Sequence, residues 1–272
     1  MTFIVVNFIF IILIFLISAV IARILIPRIL LISLRKKLFD IPDDRKVHKR
    51  AIPRLGGVSF FPTTLFAFCL VYTFRLLGGD SVSTLYASYL LPELLLFACG
   101  MTLLYLTGIA DDLVGVRYRQ KFVIQIFCAC LFPLSGLWIN DLYGLFGIHE
   151  LSVYVGIPFT ILTVVFITNA INLIDGIDGL ASGLSSVALL IFTFLFIEKG
   201  LWSYAMLAAG TFGVLVPFFY YNVFGSVERA RKIFMGDTGS LTLGYTLSFL
   251  AIKYSQHNAD IMPYTEGAFI IA

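Results

Sequence analysis

Charged residues are scarce in this chain: only 13% of its 272 residues are Asp, Glu, Lys or Arg. Soluble domains carry roughly 25% charged and 45–50% apolar residues, whereas 60% of this sequence is hydrophobic and its mean hydropathy is +0.97. The shortage of charge excludes a separate soluble domain, and no nucleic-acid partner is expected. The sequence predicts a polytopic membrane protein that forms a single domain over residues 1–272.

Cysteine and histidine are also few, with four cysteines and three histidines. Cys69, Cys99, Cys128 and Cys130 all lie inside apolar runs. Cys128 and Cys130 have no histidine nearby that would complete a zinc site. The sequence therefore predicts four membrane-embedded packing residues without disulfides.

Long apolar runs dominate the sequence. A helix needs about 20 apolar residues to cross a bilayer, and eight runs approach that length: 3–26, 58–77, 90–110, 122–139, 153–168, 180–197, 201–224 and 241–254. The first run has no basic segment before it and is too long for a signal-peptide core, so it is interpreted as a retained span. The expected fold is an all-α membrane protein with eight complete transmembrane helices and a truncated ninth that starts near Thr265.

Lysine and arginine are distributed unevenly between the two sides of the predicted bundle. The loops after spans one, three and seven carry eight, three and three of the 19 basic residues. Because basic loops favour the cytoplasm, the N-terminus is predicted outside and loops 33–55, 111–121, 169–180 and 225–240 inside. The sequence thus predicts a multi-pass protein of the plasma (inner) membrane with a polar cytoplasmic face. Loop 140–152 is expected to form a short hairpin on the outer side.

Four amide and carboxylate side chains are spaced by three residues between two apolar runs: Asn169, Asn172, Asp175 and Asp178. On a helix this spacing places them along one stripe of the surface. Polar groups at a membrane edge are costly unless they are used, and oxygen ligands of this kind suit Mg²⁺. The alternative is a polar loop where the chain leaves the bilayer.

A pair of adjacent acids, Asp111 and Asp112, closes predicted span three. Lys121 and Gln125 open span four one helical turn apart and therefore lie on one face. Adjacent carboxylates repel unless a cation or lysine compensates. A charged turn joining two helices is the alternative interpretation.

Two further segments suit phosphate. Asp237 follows Gly236 in a glycine-rich turn at the start of span eight, and such turns expose backbone N–H groups to anions. A capping aspartate explains Asp237 equally well. The basic loop containing Arg45 and His48 is interpreted as a collar for phosphate groups, as a topology signal that also attracts anionic lipid headgroups, or as both.

These acids, amides, basic residues and glycine turns are all predicted on one membrane face. The combination suits a divalent cation that bridges a diphosphate. Phosphoryl transfer depends mainly on positioned metal ions and cations around the transferring group. A site at the edge of the bilayer further indicates that one reactant is a lipid.

At these motifs the chain resembles the polyprenyl-phosphate N-acetylhexosamine-1-phosphate transferases of glycosyltransferase family 4, over nearly its whole length. Four motifs occur in the family order: Arg45-Lys46-x-His48 with Pro53-x-x-Gly56-Gly57; Asp111-Asp112 followed by Lys121 and Gln125; Asn169-x-x-Asn172-x-x-Asp175-Gly-x-Asp178-Gly; and Phe234-Met-Gly-Asp237-x-Gly-Ser. The first motif looks like the WecA/TagO-type branch, which uses UDP-N-acetylglucosamine. The MraY-type branch, which uses UDP-N-acetylmuramoyl-pentapeptide, is the alternative.

The resemblance implies an enzyme that transfers a sugar 1-phosphate from a UDP-sugar donor to undecaprenyl phosphate and releases UMP. This reaction is the first membrane step in building a cell-envelope polysaccharide. The resemblance also implies dependence on Mg²⁺. The resemblance is compatible with Mn²⁺ in place of Mg²⁺ and with a homodimer.

The motifs imply roles for individual residues. Asp237 is similar to a Mg²⁺ ligand, with Asn172 or Asp175 close to the metal and the diphosphate. Asp111 is similar to the carboxylate that deprotonates or engages the lipid phosphate, and Lys121 is expected to pair with that phosphate.

Supporting roles are implied at six other positions. Asp112 is expected to support the catalytic site, and Asp178 to help hold the nucleotide. The substrate-binding positions that complete the set are Arg45, His48, Asn169 and Gly236.

Family members also carry a His-x-His-His motif after the ninth span, which this sequence does not contain. Residues 265–272 would form roughly 12 Å of helix, against the ~30 Å hydrocarbon core of a bilayer. The domain is therefore expected to be C-terminally incomplete, and the chain alone is expected to be inactive or strongly impaired.

Two other classes of protein remain as alternatives. Ion-coupled transporters also place acids in membranes, but usually near the midplane on broken helices, whereas these acids lie at loop edges. A catalytically silent relative that binds lipid or partner proteins would keep the same motifs without turnover.

Overall fold

The computed structural model describes residues 2–36, 38–40, 52–78, 81–226 and 231–256. Two-residue strands β1 (Phe39–Asp40) and β2 (Ile52–Pro53) pair in antiparallel fashion, and short 3₁₀ turns cover Gly56–Ser59 and Leu145–Gly147. Most of the described residues are helical, as predicted. The eight helices are α1 Thr2–Lys36, α2 Phe60–Leu77, α3 Ser81–Val114, α4 Tyr118–Leu134, α5 Val153–Ile174, α6 Leu180–Glu198, α7 Trp202–Val223 and α8 Gly236–Ser255.

Six segments are long and apolar enough to cross a membrane: Ile4–Lys36, Gly56–Leu77, Leu90–Val114, Val153–Ile174, Leu180–Glu198 and Trp202–Val223. They make the chain a multi-pass membrane protein. Within the described residues, α4 and α8 do not meet the same measure of length and apolarity. The count of eight spans and the outside N-terminus therefore stay predictions, and the ninth predicted span lies outside the described residues.

Two helices are longer than the apolar runs that predicted them. α1 continues to Lys36 through Pro27, ten residues past its apolar run, and α3 begins at Ser81 instead of residue 90. The 35 residues of α1 measure about 52 Å, which exceeds the ~30 Å hydrocarbon core. Hydropathy marks only the part of a helix that suits lipid, so it underestimates a helix that continues beyond that part.

Helix α8 is buried on nearly all sides, between α3, α5 and α6. Its small residues allow close approach: a Cβ added at Gly244 would lie 2.7 Å from Thr168 Cα. Two of its hydroxyl groups are satisfied within the helix, because Thr242 and Thr246 donate to the carbonyl oxygens four residues earlier at 2.7 and 2.8 Å. Since α8 contacts protein on most of its surface, its sequence needs less apolarity than a helix that faces lipid.

The helices that carry the predicted site residues are neighbours. α3 contacts α4 and α8, and α5 contacts α4 and α8. Lys121 at the beginning of α4 bonds Asp111 near the end of α3, and Asn172 near the end of α5 bonds Asp237 at the beginning of α8. Loops that are far apart in sequence thus converge at one end of the bundle.

The loop between α4 and α5 forms the predicted hairpin. Asp141 and Glu150 make an antiparallel bridge, and Leu142 N–H donates to the His149 carbonyl at 3.0 Å. Oε1 of Gln256, just after α8, accepts a hydrogen bond from Asp141 N–H at 3.1 Å. The hairpin therefore lies at the end of α8 opposite Asp237, and its side of the membrane stays a prediction.

All four cysteines are free thiols, which confirms the prediction of no disulfides. Only Cys128 among them is buried in the protein, and Cys69, Cys99 and Cys130 are exposed on helix surfaces. Cys128 therefore packs inside the protein, whereas packing of the other three cysteines within the membrane stays a prediction. The apolar runs did not distinguish a helix face that contacts protein from one that contacts lipid.

Gly57 is expected to tolerate no side chain. Its N–H donates to the Met235 carbonyl at 2.8 Å, and an added Cβ would lie 2.2 Å from both N and Cα of Gly239. Backbone cannot move aside as a flexible side chain does, so Gly57→Ala should cost about 1–3 kcal/mol or more by overpacking. We expect the thermal unfolding midpoint in detergent to fall by roughly 5 °C or more.

The control for this prediction is Gly78→Ala at the end of α2. Gly78 has an ordinary right-handed φ of −65°, and its added Cβ would meet nothing nearer than carbonyl oxygens at 3.4 and 3.5 Å. Equal midpoints for the two variants would contradict the close contact at Gly57.

Candidate active site

Lys121 lies at the centre of a cluster built from three helices. Its Nζ donates to Asp111 Oδ2 at 2.9 Å and to Asp237 Oδ1. The side chains of Lys121, Asp111 and Asp237 are only 15%, 13% and 16% exposed. The structure thus brings together three predicted residues from the start of α4, the end of α3 and the start of α8, whereas their chemical roles stay predictions.

Asp112 caps α8 from another helix. Its carboxylate accepts hydrogen bonds from Asp237 N–H at 2.8 Å, Thr238 N–H at 3.0 Å and the Thr238 hydroxyl at 2.6 Å. The first N–H groups of a helix have no partner within it and carry partial positive charge, so an acid there is stabilising. The cap on α8 is therefore Asp112, and the Asp237 side chain is left to face Lys121.

Asn172 joins α5 to the same cluster. Its Nδ2 donates to Asp237 Oδ1 at 2.5 Å and to Ser240 Oγ at 2.7 Å. One turn earlier, Asn169 Nδ2 donates to Gln125 Oε1 at 2.5 Å. The predicted stripe on α5 thus faces α8 through Asn172 and α4 through Asn169.

Asp175 follows the end of α5 and accepts a hydrogen bond from the backbone of Gly236. Burial, and after it the negative charge of Asp237, raises the pKa of Asp175 well above its ordinary value, against the opposing effect of that hydrogen bond. Asp111, Asp112, Asp175 and Asp237 therefore place four carboxyl groups close together. A bound cation would relieve their repulsion.

Asp178 lies farther out and pairs with Lys232, whose Nζ is 2.5 Å from Asp178 Oδ2. The buried Asn222 joins the same two loops: its Oδ1 accepts from Gly179 N–H at 2.7 Å and its Nδ2 donates to the Ile233 carbonyl at 3.0 Å. These contacts fix the loop after α5 against the segment before α8. Sequence reasoning missed both partners, since Lys232 served only as a topology charge and Asn222 lies inside an apolar run.

The segment after β2 forms the remaining side of the site. Phe234 N–H donates to the Pro53 carbonyl at 2.8 Å, and Gly56 N–H donates back to the Phe234 carbonyl at 2.9 Å. This pairing places Arg54 Nη2 3.9 Å from Asp237 Oδ2, with the Arg54 side chain 40% exposed. Arg54 is a site residue that sequence reasoning missed, although it lies next to a motif proline.

Gly236 fits its position because it has no side chain. Its φ is +76°, and an added Cβ would lie 2.1 Å from the Arg54 carbonyl oxygen and 2.7 Å from Asp112 Oδ1. The turn brings the start of α8 against Asp112 and the β2 segment. Predicted residues Arg45 and His48 lie outside the described residues.

The oxygen atoms of the site fit a metal ion only if the substrate supplies some of the ligands. Among the described residues, no group of three or more His, Cys, Asp or Glu side chains is arranged to hold a metal ion. Mg²⁺, however, is usually bound by one or two carboxylates together with waters and substrate phosphates. Asp237 lies beside Asn172, and the carboxylates around them outnumber the cations. These two residues could therefore supply the protein ligands of such an ion.

Asp112→Asn is expected to weaken the start of α8. Asparagine keeps one acceptor oxygen and presents an NH₂ group to donors, so at least one of the three hydrogen bonds is lost. A buried donor left without an acceptor costs about 1–3 kcal/mol, and we expect a lower thermal unfolding midpoint.

The matched control is Asp141→Asn in the α4–α5 hairpin, which keeps the single oxygen that accepts Tyr143 N–H. Equal midpoints for Asp112→Asn and Asp141→Asn would show that the three contacts of Asp112 add little to the stability of α8.

Comparison with known proteins finds relatives that are similar over most of this chain. The chain is 32% identical over 222 residues to the probable undecaprenyl-phosphate N-acetylglucosaminyl 1-phosphate transferase of Bacillus subtilis (strain 168), covering 81% of this chain and 56% of that protein. It is 30% identical over 248 residues to the undecaprenyl-phosphate alpha-N-acetylglucosaminyl 1-phosphate transferase of Yersinia pestis, covering 89% and 62%. The chain thus spans little more than half the length of these relatives.

The family comparison agrees with the motifs found in the sequence. The family described as glycosyl transferase family 4 matches residues 94–255. The matched region contains Asp111, Lys121, Asn172 and Asp237, whose side chains converge in the site. The chain belongs to glycosyl transferase family 4.

Proposed function

We propose that the protein transfers N-acetylglucosamine 1-phosphate from UDP-N-acetylglucosamine to undecaprenyl phosphate and releases UMP. The family and the names of its relatives support this proposal. The observation that carries it is the placement of Lys121 between Asp111 and Asp237 at the N-terminus of α8. Positioned cations are the elements that align a transferring phosphate group.

In the proposed reaction, an oxygen of the lipid phosphate bonds to the phosphorus that carries the sugar. The bond from this phosphorus to the oxygen that bridges to the nucleotide phosphate breaks, and its electron pair leaves with UMP. Asp111 would orient the lipid phosphate and accept its proton when it carries one. Lys121, held by both acids, would offset negative charge on the transferring group.

The residues that would hold Mg²⁺ or Mn²⁺ are Asp237 and Asn172, with Asp175 nearby. Such an ion neutralises charge on a diphosphate when it is bound. Asp178, Asn169 and the turn at Gly236 would position the rest of the donor. Arg54 adds an exposed cation at the entrance to this site.

The site is proposed to face the cytoplasm from the inner membrane, because Arg54, Arg117 and Lys232 lie at its end of the bundle and basic residues favour the cytoplasmic side. Cysteine labelling in intact cells tests this orientation. Arg117→Cys, at the start of α4, should react with a membrane-impermeant maleimide only after permeabilisation, whereas Glu150→Cys in the hairpin should react from outside. The opposite pattern would invert the proposed topology.

The proposed activity is tested by incubating membranes with radiolabelled UDP-N-acetylglucosamine and undecaprenyl phosphate. Because the chain alone is expected to be inactive or strongly impaired, the membranes contain the protein extended with the C-terminal part of the Bacillus subtilis relative, and the 272-residue chain is assayed beside it. We expect label in the lipid extract, an equal amount of UMP, loss of both with EDTA, and recovery with added Mg²⁺. Label only from the muramoyl-pentapeptide donor would move the protein to the MraY-type branch. Donor binding without turnover would support a silent relative, and ion-coupled flux without UMP release would support a transporter.

A further inference from the structure

A second buried ion pair lies at the end of the bundle opposite the site. Lys253 Nζ donates to Glu93 Oε2 at 2.7 Å, and the two side chains are 13% and 10% exposed. Lys253 Nζ also lies 4.9 Å from the centre of the Tyr204 ring. The reaction proposed above uses none of these groups.

The pair is poorly built for stability alone. Glu93 Oε1 is buried, and no donor in the described part of the chain reaches it. Burying charge is costly unless every polar atom is satisfied, and apolar residues of similar size often stabilise as well or better. The best-attested use of such a buried pair is to select one arrangement of helices over others.

The two helices that the pair joins carry three of the site acids: Asp111 and Asp112 on α3 and Asp237 on α8. Glu93 lies 19 residues before Asp112 on α3, a distance of about 28 Å along the helix. Lys253 lies 16 residues after Asp237 on α8, or about 24 Å. The ion pair and the Asp112 cap therefore fasten the two ends of a single interface.

Between these ends, glycines allow the helices to approach closely. A Cβ added at Gly108 would lie 2.4 Å from Thr238 Cα, and one at Gly100 would lie 2.1 Å from the Tyr245 hydroxyl oxygen. A slip of one residue moves a helix by about 1.5 Å, which would break the short hydrogen bonds of Asp112. Fixing the axial position of α8 on α3 is thus a condition for bringing Asp111 and Asp237 to the same lysine.

We propose that Glu93 and Lys253 are positioning residues that set the register of α3 against α8 and so align the site acids at the opposite membrane face. The effect on turnover rests on the proposed transferase function, whereas the effect on register does not.

The first test is kinetic. Misplacement of a reacting group by about 1 Å can cost as much as a hundredfold in rate, so Glu93→Gln and Lys253→Met should each lower kcat at least tenfold per folded molecule. The KM for the UDP-sugar should change by less than about threefold, because a pure alignment defect lowers kcat without removing substrate contacts. The charge swap Glu93→Lys with Lys253→Glu should restore most of kcat.

Arg75→Met is the matched control. Arg75 is also a buried cation at this end of the bundle, but it bonds Asn7 and Ser203 and thus joins α1, α2 and α7. None of these helices carries a site acid. We expect Arg75→Met to lower the thermal midpoint and to leave kcat per folded molecule unchanged. A Glu93→Gln variant that behaves in the same way would overturn the proposal.

The second test measures register without activity. Thr246 Oγ1 lies 3.6 Å from Met101 Sδ in the middle of the interface, so Met101→Cys with Thr246→Cys should be bridged by a short bis-thiol reagent once the native cysteines are replaced by alanine. Glu93→Gln should lower this yield at least twofold, and the charge swap should restore it. An unchanged yield would overturn the proposal. If the parent protein proves to have no transferase activity, the proposed function fails while the cross-linking result still decides this inference.

Discussion

Asp237→Asn is expected to reduce transferase turnover by at least about a hundredfold while the protein still folds. Asp237 is the carboxylate on which Lys121, Asn172 and Arg54 all converge. Asparagine keeps its size but removes the negative charge that holds the lysine and would hold a metal ion. Loss of one aligned charge in an active site commonly costs about 2.7–4 kcal/mol of transition-state stabilisation.

Turnover is measured as label transferred to lipid at equal amounts of folded protein in the membrane. The control is Glu150→Gln, which removes an exposed carboxylate in the α4–α5 hairpin at the far end of the bundle. We expect the control to keep full activity. Near-normal turnover of Asp237→Asn in correctly inserted protein would remove Asp237 from the site.

The sequence predicted the main elements of the site because charge is costly in an apolar chain. Asp111, Lys121 and Asp237 each lie at the end of an apolar run, and the basic loops assign those ends to one side of the membrane. Their order also matches the family motifs. The structure places the Lys121 side chain in contact with both acids, although Asp237 lies 116 residues after Lys121 in the sequence.

The sequence could not assign partners to these residues. Asp112 and Asp111 are adjacent and alike, yet one caps α8 while the other faces Lys121. Arg54 and Lys232 looked like topology charges, because their proximity to Asp237 and Asp178 depends on how separate segments pair. Such contacts are set by tertiary packing, which spacing along the chain does not encode.

Hydropathy could not predict which helices face lipid and which are enclosed by protein. It treats every span as facing lipid, whereas α8 is enclosed by other helices and is rich in glycine, serine and threonine. The outer faces of α2, α3 and α4, where three cysteines lie, have the opposite environment. A single apolar run therefore predicted that a helix exists, but not which neighbours surround it.

Lys121→Met is expected to abolish measurable turnover and also to destabilise the protein. Lys121 is the cation between Asp111 and Asp237, and methionine would fill its volume without its charge. Removing one partner of a buried ion pair can cost about 3–5 kcal/mol, because the remaining charge is left uncompensated. These side chains keep some solvent contact, so the stability loss should lie toward or below the lower figure.

A second substitution separates the two effects. Adding Asp111→Asn to Lys121→Met removes one of the two acids that the lysine no longer neutralises. We expect the thermal midpoint to recover much of its loss, because the coupling between the two sites is electrostatic. Turnover should stay absent, since neither the cation nor the acid is then available to the transferring phosphate. Lys199→Met, which removes a lysine that donates to the Tyr254 carbonyl at the other end of the bundle, should keep full turnover. Recovery of activity together with stability in the double variant would mean that Lys121 serves only to hold the helices together.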